Sequence, residues 1–460
     1  MIDIGDYTLK ELETWNEKIE KKVKELGLNY YEQEFEIIGY NDMLAAEAYT
    51  GMPSRYPHWS FGKAYEKQKT LYGYDLVGLP YEMVINSDPC IAYLMKENTL
   101  LLQILTMAHV YGHNDFFKNN RLFKEGTDAG ETVQMFKNHA DTIRSYIDNP
   151  SIGGKRVESL LDAAHAVRYQ TSRVPGEKKL SQNEIRKKVI EDFNRSYKPK
   201  SVIEPYEERK QPNLNKIPLE PEEDILYFME LYGNFDEWEK NVIEIVRYET
   251  AYFIPQIETK IMNEGWASYC HYTILNDLNL PQGLHLEFLK RHNDVLAPLL
   301  GSLNPYYLGF KILKDIEKKY GRDKLFEVRE IERDESFIRK YLTRELCEEL
   351  NLFEFSRKHG EYIIDNVSDE DGWKEIRNAI CGSCGMNGIP EIKVIDLDRK
   401  DNNLVLEQTY DGRELNMQYA EETLKYMVDL WRGKVTLKTV IDGKEYRILC
   451  DENKKICEVK

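Results

Sequence analysis

The fold of this protein depends most on the stretch Thr99-Leu-Leu-Leu-Gln-Ile-Leu-Thr-Met-Ala-His-Val-Tyr-Gly-His-Asn-Asp-Phe-Phe117. Its apolar part is shorter than the roughly 18 residues that cross a membrane, and it is interrupted by Gln103 and His109. No other part of the chain is more apolar, so we predict no membrane span. We expect the stretch to belong to a helix that opens at Asp88-Pro89 and continues to about residue 112.

Two histidines of this stretch are candidate metal ligands. His109 and His113 are four residues apart, so in a helix they share one face and lie one turn apart. Both imidazoles can therefore reach a single ion. The same spacing also fits two helix histidines that only form hydrogen bonds, so the pair by itself leaves both interpretations open.

A second segment, Asn263-Glu-Gly-Trp-Ala-Ser-Tyr-Cys-His271, favours the metal interpretation. Glu264 and His271 are seven residues apart and share one face of an otherwise apolar helix. A buried carboxylate needs a partner, and for Glu264 this is either a metal ion or an Arg or Lys side chain. The predicted ligands are His109, His113, Glu264 and His271, with His139 and His165 either enlarging the site or serving as ordinary helix residues. We expect a divalent transition metal, zinc first and iron as the alternative.

The two helices resemble those of zinc peptidases in which a His-Glu-x-x-His helix is completed by a Glu-Gly-Trp-Ala segment. Val110 stands where those enzymes have the glutamate that acts as general base. A water-activating carboxylate must therefore come from another part of the chain, or peptide hydrolysis is lost. The candidate bases are Glu36 and Glu82, followed by Glu131 and Glu258.

The periodicity of the apolar residues changes near residue 365. Before that point, steps of three and four residues predict a large helical, metallopeptidase-like body, with helices near 284–298, 304–319 and 335–356. Thr8 and Glu11 are spaced as a capping box at the start of its first helix. A proline-bearing polar segment at 176–221, with one short helix near 181–195, predicts an extended arm or insertion.

After residue 365, alternation of apolar and polar residues predicts a small α+β domain. Strands are expected at 392–398 and 403–409, a helix at 418–432, and a hairpin around Asp442-Gly443. The predicted fold is thus mainly α, with a helical domain at 1–365 and a second domain at 366–460.

Charge and cysteine usage restrict the class of protein. The 460 residues include 63 Lys and Arg against 80 Asp and Glu, a net charge of −17. This balance argues against nucleic acids and anionic membranes as partners, since both attract clustered positive charge. The seven cysteines are scattered and odd in number, and no signal peptide begins the chain. We therefore predict a cytoplasmic location.

Longer segments of the chain resemble the stage V sporulation protein R (SpoVR) family. They are Arg55-Tyr-Pro-His-Trp-Ser-Phe-Gly-Lys63, Tyr81-Glu-Met-Val-Ile-Asn-Ser-Asp-Pro-Cys90, His109-Val-Tyr-Gly-His-Asn-Asp-Phe-Phe-Lys-Asn-Asn120, Met262-Asn-Glu-Gly-Trp-Ala-Ser-Tyr-Cys-His-Tyr272 and Ser336-Phe-Ile-Arg-Lys-Tyr-Leu-Thr-Arg-Glu-Leu346. The resemblance implies a bacterial cytoplasmic protein linked to sporulation and spore cortex formation. In bacteria without spores, relatives sit beside genes for a serine-kinase-like AAA+ protein and a von Willebrand-type protein, which are therefore the expected partners. The resemblance implies no particular reaction.

Three functions remain open at this point. The first is a metal-dependent hydrolase of amide or peptide-like bonds. The second is a regulatory or scaffold protein that keeps a peptidase-like core without turnover, as Val110 allows. The third is a redox-active iron protein built from histidines and carboxylates, because helical bundles also hold such sites.

Overall fold

The computed structural model describes residues 3–4, 6–73, 82–173, 176, 178–195, 211–298, 303–358 and 361–459. Helices dominate these residues, so the mainly α prediction is confirmed. The helices are α1 Leu9–Glu25, α2 Tyr40–Ala48, α3 Trp59–Gly73, α4 Leu100–Asn119, α5 Arg121–Gly126, α6 Thr132–Asp148, α7 Gly154–Val167, α8 Gln182–Arg195, α9 Ile225–Tyr232, α10 Glu237–Glu258, α11 Lys260–Asp277, α12 Gln282–Val295, α13 Pro305–Tyr320, α14 Arg322–Ile331, α15 Asp334–Tyr341, α16 Arg344–Glu349, α17 Gly372–Ser383 and α18 Met417–Trp431. The strands are β1 Asp3–Ile4, β2 Tyr7–Thr8, β3 Gln33–Ile38, β4 Glu82–Ile85, β5 Cys90–Met95, β6 Phe353–Lys358, β7 Glu361–Val367, β8 Ile392–Asp398, β9 Asn403–Gln408, β10 Lys434–Ile441, β11 Lys444–Cys450 and β12 Ile456–Val459.

The first helix begins as predicted. The Glu11 N–H donates to Thr8 Oγ1 at 3.3 Å, and the Thr8 N–H donates to Glu11 Oε2 at 2.8 Å, which completes the capping box. These bonds satisfy two backbone donors that the first turn of a helix otherwise leaves open.

Helix α4 is buried on all sides, since 18 of its 20 residues are shielded from solvent. It begins at Leu100, where the Leu102 N–H donates to the Thr99 side chain, and not at Asp88-Pro89. The predicted start was wrong because residues 90–95 form strand β5. A short continuous apolar run fits a buried strand as well as a buried helix, and only its pairing separates the two.

Strand β5 is the centre of a three-stranded sheet in the order β3-β5-β4. It pairs parallel with β3 and antiparallel with β4, with Glu82 opposite Leu94. The sheet therefore carries the glutamate at the start of β4 to the neighbourhood of α4.

Helix α11 lies against α4 and α13 at unusually short range, because glycines occupy the contact points. A β-carbon at Gly112 would lie 2.7 Å from the Ala267 α-carbon, and one at Gly265 would lie 2.5 Å from the Gly309 α-carbon. Real β-carbons do not approach backbone atoms so closely, so no larger residue fits without moving a helix. The sequence thus sets how near the Glu264 side chain comes to α4.

The predicted helix over 335–356 is two helices followed by a strand. Helix α15 ends at Tyr341, and Thr343 caps the start of α16 by accepting from the Leu346 N–H at 3.4 Å. Strand β6 then begins at Phe353. The capping threonine interrupts an apolar pattern that reads as continuous in the sequence.

The C-terminal strands and helix follow the prediction closely. They form one sheet in the order β12-β11-β10-β9-β8, with β9 and β10 parallel and the other neighbours antiparallel. Helix α18 connects the two parallel strands. Asp442 and Gly443 both have positive φ, of 50° and 70°, as the two-residue hairpin between β10 and β11 requires.

The chain divides into two compact units that are each discontinuous in sequence. One unit contains Met1–Arg144 and Ala251–Gly388, and the other contains Ser145–Thr250 and Ile389–Lys460. The boundary predicted at residue 365 stays a prediction. The arm predicted at 176–221 also stays a prediction, because part of the arm lies outside the described residues. Within it, α8 has no buried residue. None of the helices in the described part of the chain combines the length and apolar character that a membrane crossing needs.

Candidate metal centre

Helix α4 presents His109 and His113 side by side in the first unit. Their ring centroids lie 4.6 Å apart with the ring planes nearly perpendicular, and the side chains are buried, at 3% and 6% exposure. The predicted sharing of one helix face is therefore confirmed. Burial lowers the pKa of His113 to about 4, with the adjacent His109 imidazole acting in the same direction, so the ring is neutral at pH 7.

Helix α11 brings Glu264 to both imidazoles. Its Oε2 atom lies 3.5 Å from His113 Nε2 and 3.7 Å from His109 Nε2. Burial works to raise the pKa of Glu264, but the two imidazoles outweigh it, and the pKa is lowered. The carboxylate is therefore ionised at neutral pH.

Strand β4 supplies a second carboxylate. Glu82 Oε1 lies 3.7 Å from His109 Nε2, and the ligand atoms of Glu82, His109 and His113 all lie within 4.8 Å of one another. Burial raises the pKa of Glu82, and the negative charge of Glu264 adds to this effect while His109 opposes it. Two carboxylates thus flank the pair of imidazoles, one from strand β4 and one from helix α11.

The distances suit an ion better than hydrogen bonds. Separations of 3.5–3.7 Å are too long for hydrogen bonds, and His109 Nε2 and Glu264 Oε2 are buried atoms without a hydrogen-bond partner. Four ligands placed tetrahedrally at about 2.1 Å from Zn²⁺ lie roughly 3.4 Å from one another. The residues present therefore fit a metal ion, because it would satisfy both atoms at once.

Neighbouring side chains hold the other ring nitrogen of each imidazole. His113 Nδ1 lies 2.9 Å from Asn263 Oδ1, and since an amide oxygen only accepts, the ring carries its proton on Nδ1. His109 Nδ1 lies 2.9 Å from His271 Nδ1. In both rings Nε2 is the nitrogen that faces Glu264. A partner on the ring nitrogen away from the ion fixes the tautomer and the orientation of a metal-binding histidine in this way.

His271, the fourth predicted ligand, lies on the Nδ1 side of His109, whereas the carboxylates face the Nε2 side. Its Nδ1 contacts His109, and its Nε2 lies 2.8 Å from His292 Nδ1. Both ring nitrogens are therefore engaged with other histidines. Burial lowers the pKa of His271 well below its usual range and that of His292 to about 4.

The other predicted site residues lie elsewhere. Glu36 is exposed on β3, and Glu131 is exposed just before α6. Glu258 is buried at the end of α10, where it accepts from the Met386 N–H at 3.3 Å and lies 3.7 Å from the Arg333 guanidinium. His139 in α6 and His165 in α7 add no ligand atom to the group of Glu82, His109 and His113. Val110 is fully buried.

Sequence reasoning missed Tyr306, at the start of α13. Its ring stacks on His109 at 6.1 Å between centroids, and the charge of Glu264, burial and the charge of Glu82 raise its pKa well above the usual range. The phenol therefore keeps its proton and can donate it in a hydrogen bond. The only local signal is the helix start at Asn304-Pro305, which says nothing about the site.

Two family models and one relative match the chain, and together they cover nearly its whole length. The family described as SpoVR like protein matches residues 6–389, and the one described as SpoVR-like C-terminal domain matches residues 390–442. The uncharacterized protein YcgB of Escherichia coli (strain K12) is 35% identical over 479 residues, which cover 95% of this chain and 93% of that protein. No solved structure matches the chain.

Proposed function

The chain belongs to the SpoVR family, which makes it a sporulation-associated protein, and from the geometry of its site we propose that it is a metal-dependent hydrolase of amide or peptide-like bonds. Its metal ligands in this proposal are His109, His113 and Glu264. The observation that carries the proposal is the pair of buried, unpartnered atoms, His109 Nε2 and Glu264 Oε2, which face each other at 3.7 Å. Leaving such atoms unsatisfied is costly, and an ion removes that cost.

The ligand set favours zinc and a catalytic use. Two histidines and one glutamate are the protein ligands of known catalytic zinc sites, which keep a fourth position open for a substrate or water. When bound, the ion supplies Lewis-acid chemistry to a carbonyl group. Iron remains the alternative, because imidazole and carboxylate ligands suit it as well.

Glu82 is the residue we propose as general base in place of the glutamate missing at Val110. Its carboxylate comes from β4 and reaches the imidazoles from a different element than Glu264 does. The proton that it takes from a reacting water can pass to the leaving amine. Of the other candidate bases, Glu36 and Glu131 are exposed, and Glu258 contacts the Met386 N–H and the Arg333 guanidinium, so the proposal rests on Glu82.

Tyr306 completes the proposed site as a donor. Its phenol stays protonated beside the carboxylates and can stabilise the negative charge that develops on a carbonyl oxygen during hydrolysis. Together these residues would bind the ion, orient the substrate and transfer one proton, which is the minimum that amide hydrolysis requires.

The test begins with the metal content of the purified protein. We expect about one zinc per chain in the wild type and a sharp reduction in His113→Ala, because the variant loses one of three protein ligands. Cys384→Ala is the control, since Cys384 lies near the end of α17 and its thiol donates to Cys381 O. Elemental analysis that finds no metal would favour the scaffold function, and iron in place of zinc would favour the redox function.

Hydrolysis is tested separately on the zinc-loaded protein with a set of fluorogenic peptide amides. On any substrate that the wild type cleaves, Glu82→Gln should lower kcat by roughly 10²–10⁴-fold while zinc remains bound. Full activity in that variant would remove Glu82 from the proposal. Co-purification from a native host tests the AAA+ and von Willebrand-type partners, which remain predictions.

A further inference from the structure

Three buried histidines from three helices form a continuous row that ends at the candidate metal centre. His109 of α4 contacts His271 of α11 through Nδ1 atoms 2.9 Å apart, and His271 Nε2 lies 2.8 Å from Nδ1 of His292 in α12. The three side chains are 3%, 0% and 4% exposed. The middle ring therefore has no free nitrogen, and water does not reach it.

If His109 binds an ion, hydrogen-bond donation along the row of histidines can run in only one direction. Each contact between two neutral imidazoles needs one N–H and one lone pair. If His109 Nε2 binds an ion, its proton must sit on Nδ1, which then donates to His271 Nδ1. His271 in turn carries its proton on Nε2 and donates to His292 Nδ1. The opposite direction would place a proton on His109 Nε2 and block the ligand position.

We propose that His271 and His292 are positioning residues that hold His109 in the tautomer and ring orientation required for metal binding. The inference rests on the proposed function, because the direction of the row matters only if His109 binds an ion. It gives His271 a role beside the ligands and not among them. Asn263 plays the equivalent part for His113, through an oxygen that can only accept.

The end of the row farthest from the metal centre borders a cavity. His292 lines a cavity of about 810 Å³ together with Tyr272, Phe310 and Lys314. A substitution at His292 therefore alters a cavity wall, whereas one at His271 alters the centre of the core. The two positions can be tested independently.

The experiment measures zinc affinity by competition with a chromophoric chelator and the visible absorption of the cobalt-substituted protein. We expect His271→Phe to weaken zinc binding by roughly 10–100-fold, the usual effect of losing a residue that orients a ligand. His292→Phe should weaken binding in the same direction and change the cobalt spectrum, because His271 then loses its acceptor. His292→Asn should restore both, since the Asn Oδ1 atom can accept where Nδ1 did. His285→Phe, in the same helix but outside the row, is the control.

The outcomes separate the two proposals. A wild type that binds no zinc or cobalt overturns the proposed function and this inference with it. A wild type that binds zinc while His271→Phe and His292→Phe bind equally well overturns this inference alone. If His271→Phe fails to fold, the comparison of His292→Phe with His292→Asn decides, and equal affinities in that pair reject the positioning role.

Discussion

At the scale of single residues, His109 shows how neighbours decide what a side chain can do. One ring nitrogen contacts His271, and the other faces two carboxylates at 3.7 Å with no hydrogen-bond partner. A histidine that served only the core would satisfy both nitrogens within the protein. The unsatisfied atom at the carboxylate side is what distinguishes this histidine from an ordinary buried one.

The two carboxylates beside His109 should differ in their effect on metal binding. Glu264 approaches both imidazoles with one oxygen, so we expect Glu264→Gln to lower zinc affinity at least about 100-fold. Glu82→Gln removes a flanking charge and should cost roughly 10-fold or less. Isothermal titration with zinc measures both. A larger loss in Glu82→Gln than in Glu264→Gln would exchange the roles of the two residues.

At the scale of elements, the separation of α4, α11 and α13 depends on glycine. Gly265 of α11 meets Gly309 of α13 so closely that an added β-carbon would lie 2.5 Å from a backbone atom. Backbone cannot yield as a flexible side chain does, so the helices must move apart. Any such movement also shifts the neighbouring Glu264.

Gly265→Ala should therefore lower both stability and metal affinity. Overpacking of this kind typically costs about 1–3 kcal/mol of the free energy of unfolding. Gly283→Ala is the matched control, because Gly283 lies in α12 with no atom within 4 Å of its added β-carbon. That change should be neutral or slightly stabilising. Denaturant unfolding measures both, and equal midpoints would show that the helices adjust freely.

The start of α11 depends on a buried acid. Asp334 accepts from the Ile261 N–H at 2.8 Å and from the Met262 N–H at 2.9 Å, and it is 1% exposed. Burial raises its pKa to about 8, against the attraction of the two N–H groups. The folded protein therefore binds a proton here that the unfolded chain, with an ordinary Asp pKa near 4, releases.

This difference predicts a pH dependence of stability. Between about pH 4 and pH 8 the folded state holds more protons at Asp334 than the unfolded state, so the contribution of this group falls as pH rises through that range. The Asp334→Asn variant should be less stable overall, and its free energy of unfolding should not show the fall with rising pH that Asp334 causes. Thermal unfolding at several pH values tests it, with exposed Asp323→Asn as control. An unchanged slope in Asp334→Asn would contradict the prediction.

At the scale of the whole molecule, the centre joins elements that are distant in sequence within one compact unit. Its side chains come from β4, α4, α11 and α13, between residues 82 and 306. An ion bound there would contact only the folded chain, because the unfolded chain does not bring these ligands together. Metal binding should therefore stabilise the folded state as a whole.

Zinc should raise the unfolding temperature of the wild type and leave that of a His109→Ala, His113→Ala double variant unchanged. At a free zinc concentration 100 times Kd, the expected gain is about 2.7 kcal/mol. Calorimetry with and without chelator measures the shift. Equal shifts in the two proteins would place the stabilising ion at another site.

Local sequence determined several of the elements and part of the centre. The capping box of α1, the C-terminal strands with their hairpin at Asp442-Gly443, and the shared face of His109 and His113 follow from spacing and turn chemistry, which act over a few residues. That Glu264 needs a partner was also predictable, since a carboxylate on an apolar helix face cannot stay unpaired, but the pattern fitted a metal ion and an Arg or Lys side chain equally.

Tertiary structure alone decided the remainder. Residues 90–95 became a strand because β3 and β4 pair with them, although their apolar run also fits a helix. Tyr306 and His292 reach the site from elements whose own patterns carry no sign of it. Packing also decided that Glu82, and not another of the candidate glutamates, lies beside His109. Spacing along a helix fixes which side chains share a face, but which faces meet depends on packing between distant segments, and that is why Tyr306 and His292 could not be found from the sequence.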